Sequence, residues 1–135
     1  MDDNDELQKL QIQHNNIGGK SFHLIGTALE HHPNLTYFDI SYNKLENNGF
    51  QHLFFPISRN RTKLEELQCR GNEIGGKSID KILSSISRSL RVLNLNNNQL
   101  NEMNGQILLD TARNNVVLEQ VSIDNNEQVN ADHIT

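Results

Sequence analysis

Residues 71–78 read GNEIGGKS. A glycine, four residues and then Gly-Lys-Ser is the spacing of a phosphate-binding loop. In such a loop backbone N–H groups cradle the phosphates, a lysine (here Lys77) reaches the terminal phosphates, and a hydroxyl (here Ser78) meets magnesium. The chemistry needs a strand before the loop, a helix after it, and a first glycine that shapes a nest of amides. LEELQC at 64–69 and SIDKILSSI at 78–86 supply suitable flanks. The phrase also occurs a second time, as HNNIGGKS at 14–21, where His14 replaces the first glycine. A copy without that glycine points to a phrase repeated for a structural reason. Nucleotide binding through Gly71–Ser78 remains the remote alternative.

Other reactive residue types give less. His31 and His32 are adjacent and precede Pro33. Neighbouring positions on a helix do not face one another, so the pair reads as charge near a helix C-terminus, not as a chelate. Cys69 is the only cysteine, which excludes an internal disulfide framework and fits a reducing compartment. It occupies an apolar strand position and reads as a small buried hydrophobe. No Ser-His-Asp set or carboxylate pair has a spacing that argues for a site. The expectation is therefore no catalytic residues, no metal and no cofactor.

The elements behind these residues form a repeat. Five copies of one pattern run along the chain: Leu7, Leu10, Ile12, Asn15, Ile17; then Leu35, Phe38, Ile40, Asn43, Leu45; then Leu64, Leu67, Cys69, Asn72, Ile74; then Leu90, Leu93, Leu95, Asn98, Leu100; then Leu118, Val121, Ile123, Asn126, with Gln128 where the last apolar residue should stand. The starts lie 28, 29, 26 and 28 residues apart. Alternating apolar residues in the first half of each copy predict a strand with one buried face. The second halves are apolar at helical spacing: Phe22, Ile25, Ala28 and Leu29; Phe50, Leu53 and Ile57; Ile79, Ile82 and Ile86; Ile107, Leu108 and Ala112.

The motif L-x-x-L-x-L-x-x-N-x-L resembles that of leucine-rich repeat proteins, and a period near 28 with helical second halves resembles the ribonuclease-inhibitor-like class. The resemblance covers nearly the whole chain. It implies an α/β fold, a single domain over 1–135, built as a curved solenoid of five strand–helix repeats. Those repeats start at Leu7, Leu35, Leu64, Leu90 and Leu118, the last being incomplete. Strands sit about 4.8 Å apart and helices are about 10 Å across, so the helix side must splay and the parallel sheet must line the concave face.

Each repeat residue then has a role. Asn15, Asn43, Asn72, Asn98 and Asn126 stand where the chain leaves each strand. An amide carries a donor and an acceptor, so a ladder of these side chains should satisfy backbone groups freed by the turns. The GGKS phrase falls on the strand-to-helix turn. Gly75 and Gly76 let the chain bend, and Ser78 is placed to cap the helix. The polar residues between the strand leucines make up the concave face, and Tyr37, Asp39, Tyr42, Glu66, Arg70, Asn94 and Asn96 are the candidates there for protein binding, Tyr and Arg being frequent hot spots.

A net charge of −5 argues against nucleic acid and anionic membranes as partners. No apolar run approaches the roughly 20 residues of a membrane span, and the start MDDNDEL resembles no signal or transit peptide. The reading is a non-enzymatic cytoplasmic interaction module or scaffold with a protein partner, acting through the concave face or the open solenoid ends. Solenoids need polar caps, and six residues before Leu7 do not provide one. The chain is therefore expected to be a segment of a longer array, a subunit of a larger assembly, or frayed at its ends. The resemblance extends to ribonuclease inhibitor, the five-repeat carboxy-terminal domain of tropomodulins, axonemal assembly subunits, immune receptors and the Ran GTPase-activating protein. It implies a cytoskeletal or scaffold role first, and a small-GTPase regulator as the alternative that a GTPase assay would distinguish.

Overall fold

The computed structural model describes residues 6–18, 21–32, 34–59, 61–86, 90–115 and 117–126. Strands and helices alternate: β1 Lys9–Gln11, α1 Phe22–Glu30, β2 Tyr37–Asp39, α2 Glu46–Ser58, β3 Glu66–Gln68, α3 Asp80–Leu83, β4 Val92–Asn94, α4 Glu102–Asn114 and β5 Gln120–Ser122. The five strands form one parallel sheet in sequence order. Their register is that of the repeat, with Leu10, Phe38, Leu67, Leu93 and Val121 in one row.

The core lies between sheet and helices. Phe38, Ile40, Leu45, Leu64, Leu67, Cys69, Ile74, Leu90, Leu93, Leu95 and Leu100 are all fully buried. These are the repeat positions of the three middle copies, and burying each such side chain contributes roughly 1.5–3 kcal/mol. The first copy is less enclosed: Leu7, Leu10, Ile12 and Ile17 are only partly buried.

The helix layer is less regular than the sequence pattern implies. Leu29, Phe50, Leu53 and Ile57 are buried as expected, but Ala28 faces out. The side chain of Phe22, and Gln128 in the fifth repeat, lie outside the described residues. The third helix is the largest departure. Ile79, Ile82 and Ile86 suggest a full helix, yet a 3-10 turn over Lys77–Ile79 leads into a single α-helical turn. The serines behind it explain the stop. Ser84 Oγ donates to the Lys81 carbonyl, and Ser85 Oγ to the Lys81 and Ile82 carbonyls, so local side-chain bonds compete with the helix for its own acceptors.

Candidate functional site

The asparagine ladder is continuous. Asn43 Oδ1 accepts from the Asn15 and Ile17 amides at 2.9 Å each, Asn72 Oδ1 from Asn43 and Leu45 at 3.2 Å each, and Asn98 Oδ1 from Asn72 and Ile74 at 2.8 and 3.1 Å. Asn126 Oδ1 accepts from Leu100 at 2.9 Å. Each Nδ2 in turn donates to strand-exit carbonyls: that of Asn72 to Ile40 and Arg70, that of Asn98 to Cys69, Leu95 and Asn96. One side chain thus serves two repeats, which is why a residue with both donor and acceptor recurs there.

The residue before each ladder asparagine is left-handed: His14, Tyr42, Gly71, Asn97 and Asn125 have φ of 61°, 56°, 60°, 60° and 58°. The turn geometry therefore demands this conformation whichever residue occupies it, and glycine accepts it most readily. At position 71 there is a second demand, because a Cβ would overlap the Tyr42 ring. That ring stacks on His14 at 4.8 Å with planes 8° apart, and the Arg70 guanidinium sits 5.6 Å from its centroid. Its hydroxyl accepts from Asn97 Nδ2 at 2.6 Å. Tyr42 so reaches across Gly71 and joins four repeats along the strand exits.

The glycine pair of GGKS is clamped from both sides. Asn47 Oδ1 accepts from the Gly75 amide at 2.8 Å and its Nδ2 donates to the Gly75 carbonyl at 2.7 Å. Asn104 does the same for Gly76, at 2.9 and 3.0 Å. A phosphate cradle needs those two amides free, and here both are spent on neighbouring repeats. Gly75 has no room for a side chain, since a Cβ would overlap the Gln99 carbonyl of the next repeat. Ser78 does not cap the helix: Gly76 is the N-cap of the 3-10 turn and Ile79 that of α3, neither with a side-chain bond, and Ser78 Oγ instead accepts from Asn47 Nδ2 at 3.0 Å. Asn47 and Asn104 were not singled out by the strand motif. Their signal is an asparagine in the first turn of α2 and again of α4, where Asn104 also closes a capping box with Asn101.

On the sheet face away from the helices, the seven candidate side chains divide into two groups. Asp39 is only 4% exposed, which corrects the expectation of an accessible carboxylate. Its Oδ1 accepts from the Ser41 amide at 2.9 Å, a turn that folds the side chain back onto its own backbone. Asn94 Oδ1 makes the equivalent bond to Asn96 at 3.0 Å, and Asn96 Oδ1 accepts from the Asp124 amide at 2.7 Å. These three hold the strand exits. Tyr37, Tyr42, Glu66 and Arg70 are partly exposed and point outward. Lys9 Nζ lies 4.5 Å over the Tyr37 ring. Burial, with Asp39 and Glu66 nearby, pushes the Tyr37 hydroxyl up from its ordinary pKa. Gln68 Nε2 donates to Glu66 Oε2 at 2.8 Å. Arg70 Nε is buried with no hydrogen-bond partner.

The remaining reactive groups are structural. His31, at the end of α1, places Nδ1 2.9 Å from the Thr27 carbonyl. Cys69 is fully buried, and desolvation pushes its thiol well up. Just before the starts of β3, β4 and β5, Arg91 pairs with Glu65 and Glu119, and the hydrogen bond from Arg91 holds the Glu119 carboxyl below its ordinary range. Among the described residues no three His, Cys, Asp or Glu side chains converge on a metal-sized site, and no helix is long and apolar enough to cross a membrane.

Comparison with known proteins agrees with this geometry. One family model described as Leucine Rich repeat matches residues 4–21 and 31–53, and another, Leucine Rich Repeat, matches residues 89–114. A tropomodulin C-terminal domain from Caenorhabditis elegans superposes with a TM-score of 0.77 at 15% identity, over 90% of this chain and 76% of that one. The structure titled Leiomodin-1 Actin-Binding Site 2 superposes with a TM-score of 0.73 at 15% identity, over 86% and 69%. At such identity the likeness is one of fold. No curated protein matches the chain. With five strands in repeat register, an unbroken asparagine ladder and two matching repeat models, the chain is a leucine-rich repeat protein.

Proposed function

We propose that this chain is a non-enzymatic interaction module that binds a partner protein through the open strand face, concave by the width argument. One observation carries the reading: the outward side chains of that face are braced before any partner arrives. Tyr37 lies under Lys9, Glu66 is held by Gln68, and Tyr42 is fixed between His14, Arg70 and Asn97. Side chains already fixed lose less entropy on binding, and Tyr and Arg are the types that dominate interface energetics. Tyr37, Tyr42, Glu66 and Arg70 are the contacts; Asp39, Asn94 and Asn96 set the strand exits beneath them.

Actin is the first partner to test, because one structural neighbour is titled an actin-binding site, and a cytoskeletal role in the cytoplasm follows from that reading. Co-sedimentation with filaments and a monomer-binding titration would measure it, followed by crosslinking to identify another partner if actin fails. Tyr37→Ala and Glu66→Arg leave the ladder intact. Each is expected to weaken partner binding by about tenfold or more, the size of a hot-spot loss near 2 kcal/mol. Unchanged affinity in the double variant would remove the strand face as the binding site.

A further inference from the structure

The helix layer has a gap at the third repeat. α2 runs for 13 residues and α3 for 4; α1 packs broadly on α2, while α2 meets α3 only lightly. The missing turns leave a groove of about 300 Å³ floored by Phe54, Phe55 and Ile82 and edged by Ser58, Lys81 and Ser85. Phe55 is 49% exposed.

Lys81 is the charged residue among those lining the groove, and two arginines flank its Phe55. The Arg59 and Arg61 guanidiniums lie 4.5 and 5.9 Å from the Phe55 ring centroid, and Lys81 is exposed on the opposite wall. Among the described residues no carboxylate lines it, although the chain carries a net charge of −5. Arg61 shares Glu30 at 3.6 Å; among the described residues neither Arg59 nor Lys81 is in an ion pair. The serines at the edge are already occupied, Ser58 Oγ donating to Phe55 O and Ser85 Oγ to Lys81 O and Ile82 O. The apolar floor and the cations beside it are what the groove offers an anchored side chain and its neighbours. The volume sits at the lower limit of the roughly 300–1,000 Å³ that encloses a small ligand, so it suits one or two anchoring side chains of a longer segment.

We propose that this groove docks an acidic segment of a partner protein, seating a Phe or Leu against Phe55 and Ile82 and setting carboxylates against Arg59 and Lys81. It is a second surface, on the opposite layer from the strand face. The full chain would be titrated into labelled glutamate-rich peptides, each carrying a central Phe, Leu, Met or Trp, with anisotropy as the readout. Saturable binding is expected, tighter at low salt and lost for lysine-rich counterparts. Phe55→Ser and Lys81→Glu, both at exposed positions and checked by circular dichroism, should each weaken it about tenfold or more. Tyr37→Ala should leave it unchanged. No binding by any glutamate peptide, or binding indifferent to Lys81→Glu, overturns the proposal. So does Phe55-dependent capture on phosphatidylserine vesicles without peptide binding, which would assign the groove to a membrane surface. A dimer in light scattering that Phe55→Ser abolishes would assign it to a second copy, and equally overturns it.

Discussion

Tyr42 and Gly71 are one interaction divided between two repeats. The ring occupies the space a Cβ at 71 would take, and the backbone at 71 is left-handed at φ 60°. Gly71→Ala therefore meets two costs: a left-handed Ala, about 1–2 kcal/mol, and displacement of a ring that stacks on His14 and bonds Asn97. In the Tyr42→Ala background only the first should remain. A double-mutant cycle by chemical denaturation is expected to show a coupling of roughly 0.5–3 kcal/mol. Additive effects would mean that the ring does not depend on the empty space at 71. The same pair settles why the first glycine of GNEIGGKS is present: it makes room for tyrosine, and the amides that would meet phosphate belong to Asn47 and Asn104.

At the scale of elements, three-residue strands cannot hold together by their ladders alone, and the asparagines join strand exit to strand exit. Their contributions should depend on position. Asn72 is fully buried, and its side chain bonds Asn43, Leu45 and Ile40 of the preceding repeat as well as Arg70 of its own. Asn15 is exposed, and its Nδ2 bonds run to Ile12 and Gln13 within its own repeat. Asn72→Ala is expected to cost roughly 1–3 kcal/mol, the penalty for stranding buried amides, whereas Asn15→Ala should stay within about 0.5 kcal/mol. Equal effects in thermal melts would show that the ladder's strength does not come from bridging. The strand phase, the buried rows and the ladder positions were legible because period-two alternation and a recurring asparagine survive in sequence. The length of α3 was not, since Ile79, Ile82 and Ile86 keep helical spacing while Ser84 and Ser85 divert the carbonyls. The burial of Asp39 was also hidden, because an outward strand position reads as exposed unless the Asp39-x-Ser41 turn is recognised. Of the candidate face, the residue types were legible; which side chains brace the strand exits depends on contacts between repeats.

For the whole molecule, stability in a repeat array is a sum of repeat terms and nearest-neighbour interfaces, and Cys69 reports on the middle of that sum. Its side chain is fully buried beyond β3, in line with Ile40 and Leu95 of the adjoining repeats. To expose it the third repeat must open, which breaks the pairing with β2 and β4 together. Thiol labelling across a denaturant series should then give the same free energy as circular dichroism; a lower value would mean that the array opens at its centre before it unfolds. Burial keeps the folded thiol protonated far above its ordinary value, while the unfolded thiol ionises near pH 8.5. Above that pH the unfolded state binds fewer protons than the folded one, so stability must fall as pH rises. Cys69→Val removes the group and should flatten this decline between about pH 8.5 and 10. At higher pH a decline should persist in the variant, because the Tyr37 hydroxyl is also pushed up in the folded state. A decline that begins at the same pH with and without Cys69 would show that the thiol is reached by solvent and that the central repeat is not closed.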